Sequence, residues 1–376
     1  MSKNGSWTGL DIGSTGVRAV RVAGLDDEGF AIIERFSVVP TRGDVCVGGK
    51  IRNKTIVAQA VKKALKNVGA KSGSVVVGLS AAEQGIARVA LPVAVKAQER
   101  LGAIRTIGVQ VASTVPTSEA VLSSNFVREE STADGRKVAA LIVAAAAAAD
   151  VEMLTKVCRQ AGFEPRAIDL SGLGTLRSLV RDIPSSRDSA IIVDIGATST
   201  TIIAREGLYV RSIRSFAGGG LDITRAIASA ARESLEDAEK RKYALRLPLQ
   251  STKQNTGYGG FAEDDEDLKR LSSENAVELA LTIASDTLID QIAQAIESDS
   301  GAATRYIALC GGTCLLRGFQ ERLERRIGVD VRKGHPWARL ERSKANVDYF
   351  VQGREDPKLM LTLTTATGLA LWRDVE

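Results

Sequence analysis

The feature that most constrains this chain is an echo half its length apart. Residues 7–24 read WTGLDIGSTGVRAVRVAG and residues 190–207 read AIIVDIGATSTTIIAREG. Each has a short apolar run ending in Asp-Ile-Gly, then small and hydroxyl residues, then β-branched alternation. Each reaches a glycine 13 positions after the aspartate, at Gly24 and Gly207. Asp11 and Asp194 stand 183 residues apart in a chain of 376. Another alternating run follows each copy, FAIIERFSVV in the first half and LYVRSIRSF in the second. Period-2 alternation bounded by Gly or Asp predicts strands joined by tight turns, and a matched repeat predicts two copies of one supersecondary unit.

Helices should follow each meander. Residues 53–68 place Ile56, Val57, Ala60, Val61, Ala64 and Leu65 on one face, with Gly69 where a C-terminal cap belongs. A strand is expected at 74–79, helices at 221–236 and 276–297, a strand at 305–310, and then a helix carrying Leu316, Phe319, Leu323 and Ile327. Meander, helix, strand and helix in two copies describe a duplicated α/β domain with a cleft between its halves. Two stretches stand outside this symmetry. Residues 84–168 alternate strand and helix by themselves and read as an inserted subdomain. Residues 248–275, with Glu263, Asp264, Asp265, Glu266 and Asp267, read as a solvated loop.

Composition removes several chemistries. At 44% apolar and 25% charged the chain is globular. Its longest apolar run, Val138–Ala149, has 12 residues and is mostly alanine, short of the roughly 20 that a membrane-spanning helix needs. The N-terminus lacks a secretory pattern and the cysteines are scattered, so a cytosolic protein is expected. His335 is the single histidine, which rules out a histidine-rich metal site, and Cys310 and Cys314 have no second pair to complete a zinc site. A net charge of +5 with 4% aromatic residues does not suit a nucleic-acid surface. The clusters Lys62, Lys63, Lys66 and Arg322, Arg325, Arg326 read as solvated helix faces.

The repeated turn carries the chemistry. Gly13 and Gly196 permit close approach of backbone to a ligand, Ser14, Thr15 and Thr198 offer hydroxyls, and successive N–H groups in such a turn suit phosphate. Asp11 and Asp194 facing one another would repel unless a cation lay between them. Magnesium, held through water and shared with phosphate oxygens, resolves that repulsion. Gly218, Gly219 and Gly220 open a helix whose N-terminus favours anions. Gly311 and Gly312 follow a strand and offer a flat surface to a nucleotide base.

These residues together resemble the actin-like ATPase superfamily. DIGSTGVR is similar to its first phosphate motif, including Arg18, and DIGATSTT to its second. CGGTCLLRGF, with Gly311, Gly312 and Leu316, resembles the adenosine motif. AEKRK resembles Ala-Glu-x-x-Lys, which assigns ribose or base contacts to Glu239 and Lys242. TATGLALW is similar to the second connecting helix, whose small residues Ala366, Gly368 and Ala370 permit close helix crossing. Within the superfamily the opening GLDIGSTGVRAVRV, the segment PTRGDVCVGGKIRN, GGGLDIT, VCRQAGFEPRAIDL and the insert resemble the PilM proteins of type IV pilus assembly, relatives of FtsA.

The resemblance implies duplicated RNase H-like domains with an inserted FtsA-type 1C subdomain. Subdomain 1A would comprise 1–83, 169–188 and the C-terminal helix, 1C residues 84–168, 2A residues 189–236 and 304–358, and 2B residues 237–303. It implies ATP and Mg2+ as cofactors, with Asp11 and Asp194 on the metal through water. The partner would be the cytoplasmic N-terminal peptide of the inner-membrane protein PilN, and through it the pilus motor or platform. The protein would then lie in the cytoplasm, peripheral to the inner face of the membrane. Arg18 stands where relatives more often have lysine, Ser171 near a frequent glutamate, Thr313 for a third glycine, and the alanines 144–149 for charged residues. These departures imply at most slow ATP hydrolysis. The alternatives are a sugar kinase, whose base would be Asp169 or Asp222, and an FtsA-like filament tether, which needs an amphipathic C-terminal helix not found at WRDVE.

Overall fold

The computed structural model describes residues 6–25, 31–80, 84–107, 119–179, 189–206, 209–248, 265–298, 304, 306–336, 341–342 and 357–372. The chain opens with an antiparallel meander of β1 (Trp7–Gly13), β2 (Gly16–Leu25) and β3 (Ala31–Pro40), then the small ribbon β4 (Cys46–Val47) and β5 (Lys50–Ile51). Helix α1 (Lys54–Asn67) is capped by Asn53, whose Oδ1 accepts the Ile56 N–H at 3.1 Å. It ends at Gly69, whose φ of 63° only glycine adopts freely. Strand β6 (Val75–Leu79) is buried throughout and pairs parallel with β1, which explains its continuous apolar sequence VVVGL.

Next come β7 (Gln84–Pro92), α2 (Arg100–Ile107), β8 (Ala120–Ser131) and β9 (Lys137–Ala147), which make a separate three-stranded antiparallel sheet in the order β7-β9-β8. Its own small core joins Val89, Leu91, Leu122, Leu141 and Val143 to Ile104 of α2. The alanine run 144–149 spans the end of β9 and the start of α3, with Ala144–Ala147 on the strand and Ala148 and Ala149 in the helix. The remainder of 84–168 behaves differently. Helix α3 (Ala148–Gln160) packs on α1, and β10 (Pro165–Leu170) pairs with β6, so both join the first sheet. Helix α4 (Ser171–Leu179) then leads into the second half.

The second half repeats the first. Strands β11 (Ser189–Ile195), β12 (Ser199–Glu206) and β13 (Tyr209–Ala217) form the meander, followed by α5 (Gly220–Ala231), α6 (Leu235–Ala244) and α7 (Asp265–Glu297). Strand β14 (Tyr306–Cys310), α8 (Phe319–Ile327), β15 (Asp330–Lys333), the two-residue β16 (Glu341–Arg342), α9 (Pro357–Thr362) and α10 (Thr364–Ala370) complete the chain. The sheet orders are β10-β6-β1-β2-β3-β16 and β13-β12-β11-β14-β15. Apart from β16, one is the other with equivalent strands exchanged. The expected duplication is therefore a duplication of topology.

Three local expectations are corrected. The helix expected at 221–236 is two, because Arg232 turns left-handed at φ 54° and the Ser234 hydroxyl caps a new helix by accepting the Asp237 N–H. The loop expected over 248–275 yields to helix from Asp265, where three acidic residues in a row favour an N-terminus; residues 249–264 lie outside those described. Arg322 is not solvated but buried against Asp286 of α7 at 2.5 Å, whereas Lys62, Lys63 and Lys66 are exposed as expected. The buried face of α7, with Leu281, Leu288, Ile292 and Ile296, shares one core with the second sheet.

The halves are held by a crossing of α4 with α10. A Cβ on Gly368 would overlap the Gly174 carbonyl, and one on Gly9 of β1 would overlap the Ala366 carbonyl. Small residues are required at this crossing by contact. Trp7 and Trp372 meet edge to face, 5.5 Å between ring centres.

Candidate functional site

The two hairpin turns face each other across one polar cleft. Its lining includes Asp11, Gly13, Ser14, Thr15 and Arg18 from the first turn and Asp194, Gly196 and Ala197 from the second. Gly311 and Gly312, from the turn after β14, close one side. The halves touch directly, since the Ser14 and Thr198 hydroxyls share a hydrogen bond and the Gly48 N–H donates to Thr198 Oγ1 at 3.0 Å. Register explains the convergence. Asp11 lies opposite Arg18 on β2, and Asp194 lies opposite Thr201 on β12 and beside Cys310 on β14.

Each carboxylate has protein partners. Arg18 Nη1 lies 3.5 Å from Asp11 Oδ2 and donates to the Gly16 carbonyl at 3.2 Å, while Nη2 donates to Thr15 Oγ1 at 3.3 Å. Asp194 Oδ2 accepts the Thr175 hydroxyl at 3.3 Å and the Thr365 hydroxyl at 3.2 Å. Burial still dominates. It raises the Asp11 carboxyl to about 6 against the pull of Arg18, with the Asp194 charge adding to the rise. Burial raises the Asp194 carboxyl as well, against its threonine partners and Arg18. Both groups therefore favour a neutral form or added positive charge. The donors available, two carboxylates and several hydroxyls, are hard oxygens that fit magnesium. No group of three or more His, Cys, Asp or Glu residues able to hold a metal occurs among the described residues. The protein would thus supply only part of a magnesium shell, with water and phosphate oxygens the remainder.

The glycines are fixed by contact. Gly311 has φ 80°, and a Cβ there would lie 2.5 Å from the Ile195 carbonyl and 2.6 Å from Asp194 Oδ1. A Cβ on Gly219 would lie 2.5 Å from the Gly196 carbonyl. Gly219 and Gly220 are tied to the second turn instead of lining the cleft. The Gly220 and Leu221 N–H groups donate to the carbonyls of Gly196 and Ala197, at 3.0 and 2.8 Å. The leading N–H groups of α5 are thus already engaged.

Glu239 and Lys242 sit one layer behind. Lys242 is 1% exposed, and its Nζ donates to Glu239 Oε2 at 2.7 Å, the Gly220 carbonyl at 3.0 Å and Thr224 Oγ1 at 3.0 Å. The neighbouring Tyr243 hydroxyl donates to the Gly312 carbonyl at 3.1 Å, and Thr313 Oγ1 donates to the Gly196 carbonyl at 2.9 Å. Leu316 belongs to the core, away from the cleft.

Several lining residues were invisible in the sequence pattern. Cys46 and Gly49 come from the β4–β5 ribbon, Ser80 from the end of β6, and Thr362 and Thr365 from the C-terminal helices. Burial pushes the Cys46 thiol up to about 12, so it is inert. Ser171 lines the cleft as the departure from a glutamate implied, and Ser80 donates to it at 2.6 Å. The carboxylates in the described lining are Asp11 and Asp194 alone.

A second concavity lies between the inserted sheet and the first half. This groove of ≈870 Å3 is lined by Val121, Phe126 and Ile142 of the insert, Leu173 and Leu176 of α4, and Trp372. Phe126 and Val121 are 51% and 45% exposed and face this one groove together. Asp169 and Arg177, paired with each other, are polar points in it.

The family model described as type IV pilus assembly protein PilM matches residues 9–255, more than half of the chain. The chain belongs to the PilM family. A second model, that of cell division protein FtsA, matches residues 191–357. No curated protein sequence matches significantly. Among solved structures, a PilM-PilN type IV pilus biogenesis complex superposes with a TM-score of 0.74 at 20% identity, over 97% of each chain. Ethanolamine utilization protein EutJ from Carboxydothermus hydrogenoformans gives 0.53 at 15% identity, over 98% of this chain and 89% of that one. MreB5 of Spiroplasma citri bound to ADP gives 0.52 at 13%, over 97% and 95%. The fold is that of the actin-like ATPases, and the PilM family places the chain in type IV pilus assembly.

Proposed function

We propose that this protein is a nucleotide-loaded adaptor of the pilus machine, binding ATP with Mg2+ in the polar cleft and the N-terminal peptide of a PilN-type protein in the apolar groove. The observation that carries this reading is the convergence of both Asp-Ile-Gly turns on one cleft, with buried carboxylates that favour added positive charge. Asp11 and Asp194 would hold the cation through water. Arg18 and the hydroxyls of Ser14, Thr15 and Thr198 would meet phosphate, and Gly311 and Gly312 would face the nucleoside, with Glu239 and Lys242 supporting them from one layer behind. The MreB5 neighbour carries ADP, which supports the nucleotide. The PilM-PilN neighbour supports the partner, as does an open groove with exposed Phe126 and Val121.

No helix among the described residues is long and apolar enough to cross a membrane. Binding the cytoplasmic N-terminal peptide of a PilN-type partner would place the protein in the cytoplasm, at the inner face of the membrane, with the motor or platform beyond. With no third carboxylate among the described lining residues to activate water, hydrolysis would be slow at most.

The test is a fluorescent-nucleotide titration of Asp11→Ala and Asp194→Ala, each expected to weaken Mg-ATP binding at least tenfold. Undiminished affinity in both would refute the nucleotide assignment. A PilN N-terminal peptide should protect residues 84–168 from hydrogen exchange, and protection confined to 200–300 would refute the groove.

A further inference from the structure

The cleft and the groove share a wall. Helix α4 turns Ser171, Gly172 and Thr175 toward the cleft, and Leu173, Leu176 and Arg177 toward the groove. That spacing is the helical repeat. Helix α10 does likewise. Its Thr365 reaches the cleft, and Leu371 and Trp372 just past its end line the groove. The crossing is pinned on both sides. On the cleft side the Thr175 and Thr365 hydroxyls lie 2.9 Å apart and each reaches Asp194 Oδ2, so one donates to that oxygen while the other donates to its fellow hydroxyl. On the groove side Arg177 donates to the Gly368 carbonyl at 3.1 Å and pairs with Asp169. Between these pins Gly174 and Gly368 are in contact, so neither helix can shift alone.

We infer that Thr175 and Thr365 are positioning residues through which occupancy of the cleft sets the affinity of the groove. The inference rests on the reading above, with nucleotide in one site and peptide in the other. A ligand that draws on Asp194 Oδ2 takes away the acceptor that orders this pair of hydroxyls, and the threonines must rearrange when it does. Because the crossing has no slack, the rearrangement is passed to Leu173, Leu176 and Trp372 at the groove. Such coupling is reciprocal, and between two sites it typically amounts to about five- to 150-fold in affinity.

The experiment uses the full chain. A synthetic peptide copying the N-terminus of the same organism's PilN is titrated with and without saturating Mg-ATP, and Mg-ATP with and without peptide. The expected result is a change of about fivefold or more in each, by the same factor. In a Trp337→Phe background, Mg-ATP alone should alter the fluorescence of the Trp7–Trp372 pair. Thr175→Val keeps the shape but loses the donor. It should retain both ligands while the coupling factor falls toward one, and Thr175→Ser should restore it. Independent binding of both ligands in the unaltered protein, or full coupling in Thr175→Val, would overturn the coupling alone. Failure of either ligand to bind would overturn the proposed function, and the coupling with it.

Discussion

Replacing Asp11 by asparagine should make the ligand-free protein more stable at neutral pH. The Asp11 side chain is 14% exposed, with Arg18 3.5 Å away, and its carboxyl is raised from 3.8 to about 6, first by burial. That gap, at about 1.4 kcal/mol per pH unit, amounts to about 3 kcal/mol, and it already contains the opposing pull of Arg18. The folded state holds this proton more tightly than the unfolded state. Stability from this group is therefore full below pH 3.8 and is lost as pH rises through about 6. Asparagine is neutral throughout and escapes the loss. Urea denaturation of both proteins without nucleotide or metal should show the variant more stable by about 1–3 kcal/mol at about pH 7.5, and by about 1 kcal/mol or less at about pH 4.5. Added Mg-ATP should reverse the order, because only the aspartate offers a charge to the cation. A variant less stable than its parent at neutral pH, or equally stabilised at both, would refute this account of the cleft.

Gly311→Ala should lower stability by about 1–3 kcal/mol and weaken nucleotide binding, because φ 80° and the Ile195 carbonyl both oppose a side chain; thermal melting and titration read the two effects. Gly368→Ala should be more damaging, since its Cβ overlaps a backbone carbonyl on the facing helix, and a fall in Tm of about 10 °C or failure to fold is expected. Phe126→Asp should abolish peptide binding with Tm almost unchanged, because the side chain is 51% exposed and lines the groove. Lys242→Met should destabilise the fold by about 2–4 kcal/mol in urea, since Glu239, Thr224 and the Gly220 carbonyl would lose a buried cation.

Legibility followed the range of the interaction. The Asp-Ile-Gly echo announced two meanders because strand alternation and turn glycines act over a few residues, and the matched sheet orders bear that out. Asp11, Gly13, Asp194, Gly196 and Gly311 reach the cleft for the same reason, each standing at the end of a strand whose direction its own sequence fixes. Arg232 and Ser234 broke an expected helix through capping that periodicity does not register. The end of the separate inserted sheet at Ala147 was hidden because α3 and β10 look alike in sequence whichever sheet they join.

By itself, then, the sequence determined the duplicated fold and the two aspartates with their turns, because those depend on neighbours along the chain. Tertiary structure alone decided that Thr175 and Thr365, 190 residues apart, meet on Asp194. It also decided that Cys46 and Ser80 wall the cleft, and that the far face of α4 becomes a groove. Such contacts arise from the packing of whole helices against sheets, and a lone threonine or leucine carries no mark of the partner it will meet.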